Sequence, residues 1–183
     1  MLLTGLLPDI TSDPAIETAT DSLEVGRSGT IVAPVGIRPP LLAAVATRTA
    51  TPLVVLTATG RDAETLTNAL ASWIPGVAML PAWETLPHER LSPQVDTMAR
   101  RIAVLRRLVH PIKGDDSAGP ISVLVVPIRA FLQPIISGLA DLEPVRVRTG
   151  DILDLTEATN RLAELGYERV DMVEGRGQMS VRG

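Results

Sequence analysis

Apolar positions along this chain follow two periods, and the switches between them mark its elements. Behind Ser12-Asp13-Pro14, a capping side chain followed by proline at a first helical position, Ile16, Ala19 and Leu23 form a helical stripe. Residues 41–46 read as a helix after Pro39-Pro40, and residues 62–73 as another, with Leu66, Ala69, Leu70 and Trp73 on one face. Ser92-Pro93 opens the longest helix. Val95, Met98, Ile102, Leu105 and Leu108 or Val109 line one side, with Arg100, Arg101, Arg106 and Arg107 elsewhere. Residues 128–136 look helical apart from Pro134. Between these patterns lie compact apolar runs: a brief one at 30–33, PLVVLT at 52–57, a short one at 77–80 and ISVLVVP at 121–127. The second and fourth are β-branched-rich, as in strands buried on both faces. Strands separated by helix-length segments predict an α/β fold, a parallel sheet flanked by helices.

Near residue 145 the pattern changes. Val145 and Val147 alternate with Arg146 and Arg148, as in a half-exposed strand. Asp154 or Thr156 can cap a helix carrying Leu155, Leu162 and Leu165, with Gly166 as its stop. Residues 167–183 read as strand, glycine-rich turn and a second strand left unpaired. The pattern fits a chain that is a fragment, or a second, small α+β domain that begins near 145 and is cut short at Gly183.

Composition narrows the function. Seventeen Lys plus Arg against twenty-one Asp plus Glu leave a net charge of −4, so bulk charge does not favour nucleic acid. The absence of cysteine excludes disulfides, thiolate metal sites and a thiol nucleophile, and two histidines cannot build a His-rich metal cluster. Four aromatic residues argue against a stacking platform for single strands. No segment has the ~20 apolar residues of a membrane span. Residues 1–10 lack the basic start of a signal peptide. No membrane association and a cytoplasmic location are expected.

Four groups of residues could carry chemistry. Thr57, Gly60, Arg61 and Asp62 lie in the strand-to-helix loop where a phosphate-binding loop would sit. Arg61 and Asp62 replace the Lys and Ser/Thr such a loop needs, and the carboxylate would repel phosphate. An ordinary turn capped by Thr59 or Asp62 fits better. Glu84, His88 and Glu89 share a loop but supply too few ligands for a metal, so a solvated loop with Trp83 plugged into the core is expected. Residues 84–113 hold six Lys or Arg against three acids, the basic cluster being Arg100, Arg101, Arg106 and Arg107. Such a face could meet DNA phosphates or an acidic partner, or be the solvated side of its helix. Arg169, Arg176 and Arg182 flank short strands in a tail with nine acids against six arginines over 141–183. They fit interface anchors pairing bidentately with carboxylates, or surface solubility alone.

The string 80–96, LPAWETLPHERLSPQVD, followed by Arg100-Arg101 and Leu105-Arg106-Arg107-Leu108, closely resembles the N-terminal region of the bacterial transcription-repair coupling factor family, Mfd. Residues 123–127, the GYERVD run at 166–171 and the ending from Arg176-Gly177 to Val181-Arg182-Gly183 resemble the same family in the same order. The likeness runs from about residue 39 to 183, and residues 1–38 match loosely.

The resemblance implies a first module similar to the repair helicase subunit UvrB. Residues 1–38 would be a helix and lead-in, 39–144 a degenerate helicase-like half-domain, and 145–183 the start of an inserted domain that binds the repair subunit UvrA. The loop at 57–62 then looks like a phosphate-binding loop that has lost its catalytic residues. By motif position the UvrA-facing arginines fall on Arg169 and Arg182, with Arg176 a weaker candidate. A further arginine of the UvrB pattern is replaced by Ser180. The resemblance implies no catalytic residue, cofactor or metal in this chain. ATP with Mg²⁺, translocation on duplex DNA and RNA polymerase binding would belong to modules outside it. The arginine helix could be an intramolecular contact or solvated. The rival reading is a P-loop-related domain that retains nucleotide or duplex-DNA binding.

Overall fold

The computed structural model describes residues 2–21, 28–48, 51–85 and 93–182. At its centre is a three-stranded, all-parallel sheet of β1 (Leu53–Thr57), β2 (Val77–Met79) and β3 (Val123–Pro127), in the order β1-β3-β2. Leu53 faces Val123 on one side of β3 and Val77 faces it on the other. The α-helices around the sheet, among the described residues, are α1 (Leu7–Thr11), α2 (Pro14–Asp21), α3 (Arg38–Arg48), α4 (Gly60–Leu70), α5 (Val95–Val109) and the single turn α6 (Ile128–Phe131). Parallel strands need crossovers: α4 lies between β1 and β2 and α5 between β2 and β3, whereas α1 to α3 precede the sheet and α6 follows it. The fold is α/β.

Successive residues of β3 point to opposite faces and fill two cores. Val123 and Val125 join Leu7, Ala43, Ala63, Leu70 and Ile74, drawn from α1, α3 and the α4 region. Leu124 and Val126 join Ala78, Leu80, Val104, Ile121 and Ala130, with α5 and α6 as the cover. Gly76 makes the tight entry into β2. Its φ is +75°, and a Cβ there would meet the Ser122 hydroxyl at 2.8 Å and the Pro120 carbonyl at 2.9 Å. Its own carbonyl accepts the Ser122 N–H at 2.8 Å, which sets β2 beside β3.

Several expectations are corrected. β1 is not buried on both faces: Val54 and Leu56 are 52% and 47% exposed, because among the described residues β1 pairs with β3 alone and is an edge strand. Residues 30–33 form no strand, having no partner ladder, and Val32 is fully in solvent. Residues 145–148 likewise form none. The helix expected over 128–136 ends at Phe131, with Leu132 as its cap residue, before Pro134 is reached. The N-terminal stretch also contributes to the packing. Leu7 is buried in the first core, and the Leu3 N–H donates to the Ser72 carbonyl at 2.7 Å. Asp13 caps α2 as expected, accepting the N–H of Ala15 at 2.9 Å. Leu23 lies outside the described residues.

The buried face of α5 is rotated from the expected stripe. Thr97, Arg101, Val104 and Leu105 face inward, while Val95 and Val109 are exposed. A 3-10 turn at Leu139–Asp141 packs on α5 before the chain enters its last elements, α7 (Leu155–Glu164), β4 (Glu168–Arg169) and β5 (Gln178–Met179). The second tail strand is not unpaired: β4 and β5 form a parallel pair, Glu168 facing Gln178 and Arg169 facing Met179.

Candidate partner-binding site

Asp154 starts α7 by accepting the N–H groups of Thr156 at 2.8 Å and Glu157 at 2.9 Å. After α7, the Tyr167 N–H returns to the Leu162 carbonyl at 3.0 Å and delivers the chain into β4. β4 and β5 are joined by the Glu168 N–H to the Gly177 carbonyl at 2.8 Å and the Val170 N–H to the Met179 carbonyl at 2.9 Å. Between them the chain turns at 174–177. The Gln178 side-chain oxygen ties that turn by accepting the N–H of Glu174 at 2.9 Å and of Gly175 at 3.1 Å.

Where the two strands run on, an open cleft of about 500 Å³ forms, lined by Arg169, Val170, Asp171, Ser180, Val181 and Arg182. Arg182 donates to the Asp171 carbonyl at 3.2 Å and Ser180 to the same oxygen at 3.1 Å, so one main-chain acceptor orients both side chains. Arg169 and Arg182 are exposed and share this cleft. A pair of planar guanidinium forks in an open cleft suits a carboxylate-bearing surface. Arg176 is elsewhere. It sits at the tip of the turn, paired with Asp96 of α5 at 2.7 Å.

The other candidates are placed as follows. Thr57 ends β1 and its hydroxyl donates to the Thr59 carbonyl at 3.0 Å. Gly60 is the first residue of α4, with Arg61 and Asp62 exposed in its first turn. The Thr59 hydroxyl accepts the Asp62 N–H at 3.1 Å and donates to the Asp62 carboxylate at 2.7 Å. The helix N-terminus, where a phosphate would have to sit, is thereby closed with an acid of its own.

The four arginines of α5 do not form one basic face. Arg101 is 1% exposed, donates to the Pro81 carbonyl at 2.6 Å and stacks on Trp83. Arg106 donates to the Leu142 carbonyl at 3.0 Å and Arg107 to the Gly119 carbonyl at 2.8 Å. Arg100 alone of the four is exposed with its charge uncommitted to any described contact. Three of these cations are spent on main-chain carbonyls because α5 is flanked by irregular segments whose acceptors need donors.

Trp83 is half-buried, and a set of residues that sequence reasoning missed holds its loop. The Gln133 side chain accepts the Trp83 N–H at 2.8 Å and donates to the Trp83 carbonyl at 3.3 Å. Arg129 donates to the Glu84 carbonyl at 3.1 Å, and Thr97 donates to the Glu84 carboxylate. That hydroxyl, chief among several donors, holds the Glu84 carboxyl below its ordinary value. His88 and Glu89 lie outside the described residues. Among the described residues, no three His, Asp or Glu side chains gather as metal ligands, and no helix is long and apolar enough to cross a membrane.

Residues 145–183 match the UvrB interaction domain family. Over 157 residues, 84% of this chain, the sequence is 46% identical to the transcription-repair-coupling factor of Mycobacterium tuberculosis. The chain belongs, as a segment, to the transcription-repair-coupling factor family. It is also 27% identical over 145 residues to the Escherichia coli member and 28% identical over 145 residues to the Bacillus subtilis member, alignments covering 78% and 76% of the chain. It spans 12% of the length of each of these relatives. The cleft of Arg169 and Arg182 falls within the stretch that matches the UvrB interaction domain.

Proposed function

We propose that this segment recruits the repair subunit UvrA during transcription-coupled nucleotide excision repair and performs no catalysis itself. The observation that carries this reading is the coincidence of the UvrB interaction domain match with an open cleft holding two exposed arginines. Arg169 and Arg182 pair with carboxylates of UvrA, each guanidinium fork donating two parallel hydrogen bonds to one carboxylate. Arg176, tied to Asp96, is not a primary contact. The stretch's acidic balance leaves placed arginines, not bulk charge, to do the binding.

The α/β part is a degenerate helicase-like half-domain that acts as a platform. Its β1–α4 turn lacks Lys and Ser/Thr at the positions of Arg61 and Asp62, and the Asp62 carboxylate occupies the helix start. It binds neither ATP nor Mg²⁺. ATP-driven translocation on duplex DNA and contact with RNA polymerase fall to other parts of the coupling factor, in the cytoplasm. Titration of UvrA into the coupling factor that carries this segment tests the reading. Arg169→Ala with Arg182→Ala is expected to weaken binding by about ten-fold or more, and unchanged affinity would refute the assignment.

A further inference from the structure

Two independent features join the turn at 174–177 to the first turn of α5. The Arg176 guanidinium meets the Asp96 carboxylate at 2.7 Å. Next to it, Gly177 has φ +81° and lies so close to α5 that a Cβ would stand 2.9 Å from the Val95 side chain. Only glycine permits both the left-handed backbone and that approach. Gln178, by tying the N–H groups of Glu174 and Gly175, presents both residues at the tip. At the opposite end of α5, just before the 145–183 stretch begins, Arg106 holds the Leu142 carbonyl at 3.0 Å and lies 3.9 Å from Glu143. Arg146 reaches Asp115 at 3.7 Å, in the loop that follows α5.

The two anchors differ in strength. Arg106 is mostly buried and its bond is to the main chain, whereas the Arg176 and Asp96 side chains are 71% and 47% exposed. An exposed ion pair contributes little and is screened by salt, so the tip contact is the one that opens. We propose that residues 174–178 are a releasable clasp on the first turn of α5, which sets how the Arg169/Arg182 cleft is oriented on the platform. This concerns the geometry of the segment and does not depend on the identity of the partner. Asp96 faces Arg176 from α5, and Val95 is the apolar half of the seat. Arg176 is then a positioning residue for the cleft.

The lack of cysteine allows a clean distance measurement. Spin labels at Ala99→Cys on α5 and Glu168→Cys on β4, both exposed positions, report the separation of β4 from α5 in the 183-residue chain. At low salt a narrow distance distribution is expected. It should broaden in Arg176→Ala, in Gly177→Ala and, without any further substitution, at about 1 M salt, where the screening length is about 3 Å. Opening is expected to rise by up to about five-fold on loss of the ion pair. The paired reversal Asp96→Arg with Arg176→Asp should restore the narrow distribution. A distribution that stays narrow in both single variants and at high salt would overturn the clasp. A reversal that stays broad would overturn the ion pair as its basis. Neither result bears on whether UvrA binds.

Discussion

The Arg101 guanidinium lies 4.4 Å from the centre of the Trp83 ring, in a residue only 1% exposed. A cation thus occupies a core position of α5, one turn from Thr97 and next to Val104 and Leu105 on the inward face. Burial lowers its proton affinity, and its Nε has no partner among the described residues. The ring and the Pro81 carbonyl offset that cost. The tryptophan of the family-specific string therefore anchors its loop to α5, and its main chain is tied to Gln133 just after α6.

Arg101→Ala is expected to lower the free energy of unfolding by about 2 kcal/mol or more, since it strips the ring contact and leaves the Pro81 carbonyl unpaired. Arg101→Met should cost less, because it keeps a packed unbranched stem and removes the buried charge. Urea denaturation of both variants checks this. A loss below about 0.5 kcal/mol for alanine would contradict the burial of Arg101.

Glu84 links the same loop to α5. The Thr97 hydroxyl is the main reason its carboxyl sits below the ordinary glutamate value, helped by main-chain donors and Arg129 and opposed by burial. A folded-state value below the unfolded one contributes stability above the unfolded glutamate value, and that contribution fades as pH falls through the folded value. Glu84 is exposed, so the effect on stability is small. Thr97→Val is expected to raise the Glu84 value towards normal in a carbon-detected NMR titration. No movement would show that the hydroxyl is not its partner.

Two valines on neighbouring strands should respond differently to truncation. Val125 is 0% exposed at the centre of β3, whereas Val54 on edge strand β1 is 52% exposed. Val125→Ala is expected to cost about 2 kcal/mol, and Val54→Ala less than about 1 kcal/mol. Equal losses would mean that the outer face of β1 is covered in solution.

That contrast also marks what the sequence could and could not tell. PLVVLT and ISVLVVP read alike, since both are short β-branched runs. Only the neighbours of each strand separate a central strand from an edge, and a run of residues does not state its neighbours. A charge breaks an apolar stripe, so the pattern alone puts Arg101 on the outside. The available signal was Trp83 in the loop just before α5, an aromatic face able to take a cation. Val145 and Val147 alternate like a strand yet have no ladder to join. By contrast the caps were legible from single residues. Asp13 and Asp154 accept the N–H groups their positions demand, and Gly166 takes a φ of +87° just past α7. The arginines of the cleft were visible in sequence, but their division was not: Arg169 and Arg182 share a cleft while Arg176 is turned to Asp96.

The β1–α4 turn should behave as a cap and nothing more. Thr59→Ala is expected to cost about 1 kcal/mol, the usual loss of an N-cap. Millimolar ATP with Mg²⁺ is expected to leave the melting temperature of the chain unchanged. A nucleotide-dependent rise would mean that a ligand binds the folded state, and would revive a nucleotide site there.

The most direct measurement is calorimetric titration of UvrA into the coupling factor carrying this segment, unaltered and with Arg169→Ala plus Arg182→Ala. Arg161→Ala, which removes a cation paired with Glu164 on α7, serves as the charge control. The expected result is a dissociation constant raised by about ten-fold or more in the double variant and unchanged in the control. Equal affinity for all three proteins would contradict the claim that this cleft recruits UvrA.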